Sequence, residues 1–248
     1  MKRFAELNRE ELRELAPQSM VVLPIGATEQ HGPHLATGMD YFTVESIALE
    51  AAAIAGQGIS VIVAPALPYG SSHHHLVFGG TLSFTTETYR RMLYELVECL
   101  VIDGFKRIFL LNGHGGNQEL MQLAVRDIVL THPVRAAAGS YWNIARQDLI
   151  EKAGAEPSRL PGHAGEFETS VMLSLNPALV SKDLPHRDTN PAAKLPSTYR
   201  DERHGFWKDI NGHTDSPDLA TAEKGALYRK VIAEAVAKAW VEFAATTS

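Results

Sequence analysis

Cysteine is nearly absent from this chain of 248 residues, in which Cys99 is the only one. A single cysteine cannot form an internal disulfide, so a fold held together by disulfides is excluded. Cys99 lies in the apolar run at 96–101, which predicts a small core residue of a helix. A catalytic thiolate would need an exposed, electropositive setting, and the neighbouring residues do not suggest one.

Long apolar runs and clusters of basic residues are also missing. No stretch is long and apolar enough to span a bilayer, and residues 1–6 lack the apolar core of a signal peptide. We therefore expect a cytoplasmic protein without membrane contact. The formal net charge is −6, from 23 Lys and Arg against 29 Asp and Glu. Because a phosphate backbone needs a basic surface, nucleic acid is not an expected partner.

Short apolar strands alternate with amphipathic helices along the chain. Strands are predicted at 20–25, 60–64, 107–111 and 134–140, and helices at 8–15, 43–55, 86–102, 118–130 and 220–245. Such alternation predicts parallel strands joined by right-handed crossovers in one α/β domain, residues 1–248. The segment 185–218, rich in Pro, Asp, His and Asn, is predicted to be a loop-rich lid or an oligomer contact.

The first polar segment, residues 26–40, follows the strand predicted at 20–25. Glu29 and His31 are two positions apart on an extended segment, so their side chains project to the same side. Asp40 follows at the start of the next helix. Carboxylate oxygen and imidazole nitrogen suit Zn²⁺, Mn²⁺ or Fe²⁺, and a carboxylate can bridge two such ions. A surface loop with a few polar groups would show the same pattern, so this segment alone leaves both interpretations open.

The second polar segment follows the strand predicted at 107–111 and places His114 between Gly113 and Gly115. Glycines let the backbone approach a ligand closely. The dinucleotide fingerprint and the P-loop lysine are both missing, so the loop is predicted to present His114 rather than to bind phosphate. Ligand sites of parallel sheets lie beyond the carboxyl ends of the strands, where both segments begin.

The third polar segment, residues 162–170, precedes an apolar helical run. Glu166 and Glu168 fall in the first turn of this predicted helix, near the positive end of its dipole. Simple N-terminal capping would explain both carboxylates. His163 and Gly165, just before them, favour a site loop instead.

Together these segments resemble the creatininase (creatinine amidohydrolase) family, which also includes formamide deformylases and a mycofactocin-associated peptidase. The resemblance covers nearly the whole chain and rests on motifs in the same order, at 23–26, 29–34, 69–70, 75–81, 112–117, 163–170 and 220–225. It implies a three-layer α/β/α domain with a mostly parallel sheet. It also implies a metal-dependent amidohydrolase that cleaves a non-peptide C–N bond in a small-molecule substrate, a cyclic amide or a formamide. Family members are often homo-oligomers, frequently hexamers.

The resemblance further implies two divalent metal ions per chain. One ion would be held by Glu29, Asp40 and His114, and the other by His31 and the bridging Asp40. A hydroxide bridging the ions would attack the carbonyl carbon. His163 would be the acid that protonates the leaving nitrogen.

The chain departs from the family pattern at Gly116, where creatininases carry the glutamate that completes the second metal site. Glu166 is the expected replacement. Glu168 is the rival, or otherwise a catalytic-site group that orients His163.

Substrate contacts are expected from His75 and from Trp142, which matches one of two tryptophans around the creatininase substrate. The other tryptophan position falls near Arg159, which argues against creatinine itself. His73 and His74 are taken as loop residues, and Trp207 as a pocket cap or a subunit contact. A peptidase acting on a short peptide and a non-catalytic metal-binding scaffold remain as alternative functions.

Overall fold

Five parallel strands form the centre of the protein, in a computed structural model that describes residues 1–191 and 201–245. They are β1 (Lys2–Arg3), β2 (Met20–Ile25), β3 (Val61–Val63), β4 (Arg107–Asn112) and β5 (Arg135–Ser140), in the spatial order β1-β3-β2-β4-β5. The central strand β2 pairs with β4 from Met20 opposite Arg107 to Ile25 opposite Asn112. The predicted parallel sheet is confirmed, and the short edge strand β1 is an addition to it.

Strand β2 is buried along its whole length. Val21 and Ile25 pack into the apolar core on one side of the sheet, whereas Met20 and Val22 pack into the core on the other. Successive residues of a strand point to opposite faces, so a strand covered on both sides is apolar throughout.

Helices cover both faces of the sheet. On the face of Val21 lie α1 (Arg9–Leu15), α3 (Thr86–Ile102) and α4 (Gln118–Thr131). On the opposite face lie α2 (Met39–Ala55), α5 (Tyr141–Ile144), α6 (Arg146–Ala153), α7 (Glu166–Leu175) and α9 (Ala222–Ala245). The expected three-layer α/β/α arrangement is therefore confirmed. Among the residues described, no helix combines the length and apolarity needed to cross a membrane.

Two parts of the chain differ from the sequence-based expectation. Helix α2 begins at Met39 rather than at position 43, which puts Asp40 in its first turn. Cys99 is exposed, not buried. Helix α3 buries a stripe at Tyr89, Leu93, Val97 and Leu100, and Cys99 lies off that stripe although its immediate neighbours are apolar.

Part of the predicted lid or oligomer contact, residues 192–200, lies outside the described residues. The described part of 185–218 contains α8 (Phe206–Asp209), a single helical turn.

Candidate metal centre

A buried polar cluster lies at the carboxyl ends of β2 and β4. The loop after β2 carries Glu29 and His31, and the loop after β4 carries His114. Helix α2 contributes Asp40, and helix α7 contributes Glu168. Their exposed fractions are 0%, 0%, 2%, 4% and 5%. The structure thus brings together the side chains predicted from three separate segments.

Two glycines allow helix α2 to approach the strand ends. A Cβ at Gly26 would lie 2.5 Å from the Cα of Tyr41, and a Cβ at Gly113 would lie 2.9 Å from the carbonyl oxygen of Asp40. Any larger residue at either place would push the first turn of α2 away. This close packing holds Asp40 beside His114.

Asp40 lies between two histidines and turns one oxygen toward each. Its Oδ1 is 3.1 Å from Nε2 of His31, and its Oδ2 is 3.1 Å from Nδ1 of His114. Glu29 Oε1 is 3.3 Å from the same nitrogen of His114. On the other side, Glu168 Oε2 is 3.8 Å from Nε2 of His31. The cluster therefore consists of two halves that share the Asp40 carboxylate.

Backbone carbonyls orient both histidines. Nδ1 of His31 donates to the Glu29 carbonyl oxygen at 3.1 Å, and Nε2 of His114 donates to the Ser71 carbonyl oxygen at 3.1 Å. A carbonyl only accepts, so these nitrogens carry protons and the opposite nitrogens face the carboxylates. Metal-ligating histidines are held in this way by the nitrogen that does not bind the ion.

Three carboxylate oxygens of the cluster lack hydrogen-bond partners. In the described part of the chain, neither oxygen of Glu29 nor Oδ2 of Asp40 receives a hydrogen bond, although all are buried. Burying an ionised carboxylate without a partner is costly. One ligand atom each from His31, Asp40 and Glu168 lie within 4.8 Å of one another, as do atoms of Glu29, His74 and His114. Carboxylate and imidazole donors at these separations fit divalent metal ions.

Comparison with known proteins identifies the family. A sequence profile described as "Creatininase: Creatinine amidohydrolase" matches residues 5–242. The chain belongs to the creatininase family. Its membership makes it a hydrolase. The match to the family profile extends over nearly the whole chain rather than over one motif.

Individual relatives carry different names. A mycofactocin precursor peptide peptidase of Mycobacterium ulcerans (strain Agy99) is 32% identical over 223 residues, which cover 87% of this chain and 81% of the relative. A creatinine amidohydrolase of Pseudomonas putida is 28% identical over 244 residues, covering 92% and 91%. A crystal structure of creatinine amidohydrolase matches with a TM-score of 0.82 and 26% identity, covering 99% and 98%.

Burial and charge shift the pKa values of this creatininase-family cluster strongly. Burial alone would lower the pKa of His31, but the neighbouring carboxylates, led by Asp40, raise it to about 10. Burial would also lower the pKa of His114, and Glu29 and Asp40 raise it well above its ordinary value. Burial raises the pKa of Glu168 to about 8, against the lowering effect of His31. The cluster attracts positive charge, either as protons or as metal ions.

Glu166 does not join the cluster, which corrects the expectation that it completes the second metal site. Its carboxylate lies 3.2 Å from Nζ of Lys224 and accepts hydrogen bonds from Ser170 Oγ and the Tyr228 hydroxyl. Residues two apart on a helix are rotated by about 200°, so Glu166 and Glu168 face opposite sides of α7. Glu168, the rival candidate, lies beside His31.

Packing explains why position 116, where creatininases carry a glutamate, is a glycine in this chain. A Cβ at Gly116 would overlap the carbonyl oxygen of Ser71 and lie 2.5 Å from Nε2 of His114. A glutamate cannot be accommodated there without moving the loop at 71–72. Glu168 further accepts a hydrogen bond of 2.6 Å from the backbone N–H of Ala164, so it also holds the backbone next to His163.

His163 and His75 stack on each other beside the cluster, with ring centroids 4.3 Å apart. Nδ1 of His163 and Nε2 of His75 both lie 3.6 Å from Glu29 Oε1. Burial lowers the pKa of His75 to about 3 and that of His163 well below its ordinary value. Both rings are therefore neutral near pH 7.

A cavity of about 850 Å³ opens above the cluster. Trp142, the predicted substrate contact, is one of its lining residues, whereas Arg159 is not among the described lining residues. Trp207 also lines it, with its ring centroid 4.6 Å from that of His75 and 5.0 Å from that of His163. Of the two roles left open for Trp207, the structure shows the one at the pocket.

Sequence reasoning missed two side chains at the site. The sequence predicts His74 to be a loop residue, but its ring lies 5.6 Å from that of Trp207 and it belongs to the group with Glu29 and His114. Gln30 is not among the predicted site residues, yet its amide contacts both His75 and His163. The three consecutive histidines were a usable signal for His74, but no local pattern marked Gln30.

Proposed function

We propose that this creatininase-family hydrolase is a two-metal amidohydrolase that cleaves a non-peptide C–N bond in a small cyclic amide or formamide. The observation that carries the proposal is the position of Asp40, whose two oxygens face two histidines from opposite halves of one buried cluster. A single ion would need only one of these oxygens. A carboxylate placed between two sets of donors is suited to bridging two ions.

In this proposal Glu29, Asp40 and His114 hold one ion, and His31, Asp40 and Glu168 hold the other. Zn²⁺, Mn²⁺ or Fe²⁺ suit these donors, and solved creatininase structures include a manganese form and a Zn–Zn form. When bound, the ions lower the pKa of a shared water molecule and polarise the substrate carbonyl.

His163 moves the proton in this reaction. It is buried and neutral, and its Nδ1 faces the cluster. Its Nε2 donates to the backbone carbonyl oxygen of Gln30 at 3.0 Å, so Nδ1 of the neutral ring carries no proton. Nδ1 would therefore first take a proton from the attacking water and then deliver it to the leaving nitrogen. Trp142 and Trp207 flank the cavity and exclude water around the reacting carbonyl.

The test is a metal analysis joined to an activity screen. We expect about two ions per chain after mild purification, and hydrolysis of at least one cyclic amide or formamide that stops on chelation. Asp40→Asn should lose both ions and all turnover. Hydrolysis that persists without metal would contradict the proposal.

A peptidase is the second candidate function. The cavity of about 850 Å³ is larger than a small cyclic amide needs, and a relative at 32% identity is named as a precursor peptide peptidase. Short peptides therefore belong in the same screen. Cleavage of a peptide bond, with cyclic amides and formamides left intact, would favour this candidate.

We also propose that the chain forms a homo-oligomer, with a hexamer as the arrangement that the family resemblance implies. Leu76, Val77, Phe78 and Leu82 expose large apolar side chains within seven consecutive positions beside the site. Large exposed apolar side chains grouped in this way are typical of subunit contacts. Light scattering with size-exclusion chromatography tests the assembly, and replacing Val77 by Asp should dissociate it.

A further inference from the structure

Gln30 lies between two of the proposed metal ligands, and the orientation of its buried amide is determined by two backbone groups. Oε1 accepts a hydrogen bond of 2.9 Å from the N–H of Gly32, and Nε2 donates one of 3.2 Å to the carbonyl of Gly212. A backbone N–H only donates and a carbonyl only accepts, so both contacts agree on which end is oxygen. A Cβ at Gly212 would overlap the amide, which shows how closely the loop encloses it.

The second hydrogen of the amide determines the tautomer of His75. Nε2 of Gln30 is 2.9 Å from Nδ1 of His75. An amide nitrogen donates and does not accept, so Nδ1 of His75 carries no proton. The neutral ring must then carry its proton on Nε2. That N–H points toward Glu29 Oε1 at 3.6 Å, into the cluster.

Gln30 also contacts the ring of His163, but there the contact leaves the proton on the nitrogen that faces Gln30. Its Nε2 lies 3.0 Å from the backbone carbonyl oxygen of Gln30 and 3.1 Å from the amide nitrogen. Both amide hydrogens are already used, and no other donor to this carbonyl occurs among the described hydrogen bonds. Nε2 of His163 therefore donates to the carbonyl, and its unprotonated Nδ1 faces Glu29.

We infer that Gln30 is a positioning residue that makes His75 a hydrogen-bond donor to the substrate. Three other buried histidines of the site, His31, His114 and His163, donate the proton of one ring nitrogen to a backbone carbonyl. Their second ring nitrogen, which carries no proton, faces the carboxylates. His75 alone among these four turns an N–H inward. An N–H held in a buried site stabilises negative charge that develops on a carbonyl oxygen during attack. The identity of that oxygen rests on the proposed function, whereas the tautomer does not.

Neutron diffraction on the deuterated, zinc-loaded protein near neutral pH tests the tautomers without any substrate. We expect deuterium on Nε2 and not on Nδ1 of His75, and likewise on Nε2 of His163. In Gln30→Glu an oxygen that only accepts replaces the amide nitrogen, so deuterium should move to Nδ1 of His75. Should Gln30→Glu fail to fold, Gln30→Met removes the donor without adding charge. In that variant the neutral ring of His75 should be a mixture of both tautomers, with partial deuterium occupancy on each nitrogen. Deuterium on Nδ1 of His75 in the wild type would overturn the inference.

Kinetics test the consequence for catalysis. Gln30→Glu should lower kcat by about 10²-fold, the usual effect of losing one donor to a developing oxyanion, with KM and bound metal unchanged. In a His75→Phe background the same substitution should have no further effect, because Gln30 acts through that ring. If Gln30→Glu lowered kcat as much in the His75→Phe background as in the wild type, Gln30 would not act through His75.

Thr81→Val provides the matched control. Thr81 Oγ1 accepts a hydrogen bond of 3.1 Å from the backbone N–H of Gln30 and donates one of 3.5 Å to the backbone carbonyl of His75. The substitution therefore weakens backbone support of both residues but leaves the hydrogen bond from the Gln30 amide to the His75 ring in place. It should leave kcat near the wild-type value. If it reproduced the loss seen with Gln30→Glu, backbone placement and not the tautomer would be responsible. Correct tautomers without hydrolysis of any amide would instead count against the proposed function alone.

Discussion

Replacing one of two neighbouring glutamates on α7 should remove a metal ion, and replacing the other should not. Glu168 Oε2 lies 3.8 Å from Nε2 of His31, whereas the Glu166 carboxylate lies 3.2 Å from Lys224 Nζ on the opposite side of the helix. Both side chains are buried, and each becomes an uncharged amide of the same shape in Glu168→Gln and Glu166→Gln. The pair therefore compares position alone.

The expected size of the effect follows from the ligand role. Disturbing a group that merely supports a metal ligand lowers affinity about 10–100-fold, which corresponds to about 1.4–2.8 kcal/mol. Loss of a direct ligand should cost at least as much, so Glu168→Gln should fall from about two bound ions per chain to about one after dialysis. Glu166→Gln should keep both ions and lose about 1–3 kcal/mol of stability, because its buried carboxylate loses its charge beside the half-exposed Lys224.

The assay is elemental analysis by mass spectrometry after dialysis, with chelator competition to obtain the affinity of the weaker ion. Thermal unfolding of both variants shows whether each is folded. Loss of the second ion in Glu166→Gln, together with its retention in Glu168→Gln, would refute the role of Glu168 as a metal ligand.

Three further predictions concern pH, proton transfer and the pocket. In metal-free protein the pKa of His31 is raised from 6.5 to about 10, so its stabilising proton is present below pH 6.5 and is lost as the pH rises toward 10. Glu168, raised from 4.5 to about 8, acts in the same direction. The Tm of chelated protein should therefore fall between pH 6.5 and 10 and that of zinc-loaded protein should change less; equal slopes would be inconsistent with this account. His163→Ala should lower kcat by about 10²–10⁴-fold with both ions retained, and loss of metal in this variant would make His163 a ligand instead. Trp207→Ala should raise KM for whichever amide the screen identifies without changing the metal content, and an unchanged KM would mean that Trp207 does not contact the substrate.

The local pattern of the chain predicted most of the architecture. The strand at 20–25 and the helix at 86–102 were predicted with the bounds observed for β2 and α3, because apolar periodicity and end signals are properties of neighbouring residues. The candidate ligands Glu29 and His114 could be grouped because both follow the carboxyl ends of strands, which meet at one edge of a parallel sheet.

The local sequence pattern does not predict which of Glu166 and Glu168 faces the metal centre. Both lie in the first turn of α7, and the rotation of this helix about its axis decides which one faces His31. That rotation is determined by packing against α9, where a Cβ at Gly225 would overlap the backbone of Ser170. The deciding contact joins residues far apart in the chain, so no pattern within the 162–170 segment contains it.

Sequence alone thus determined that this chain builds a parallel α/β sheet with carboxylates and histidines at its ligand-binding edge. Tertiary structure alone decided which of them meet. Alternation along an extended segment places Gln30 opposite Glu29 and His31, yet the fold brings its amide between His75 and His163. The direction of a side chain within a segment is a local property, whereas the partners it meets depend on how distant segments pack.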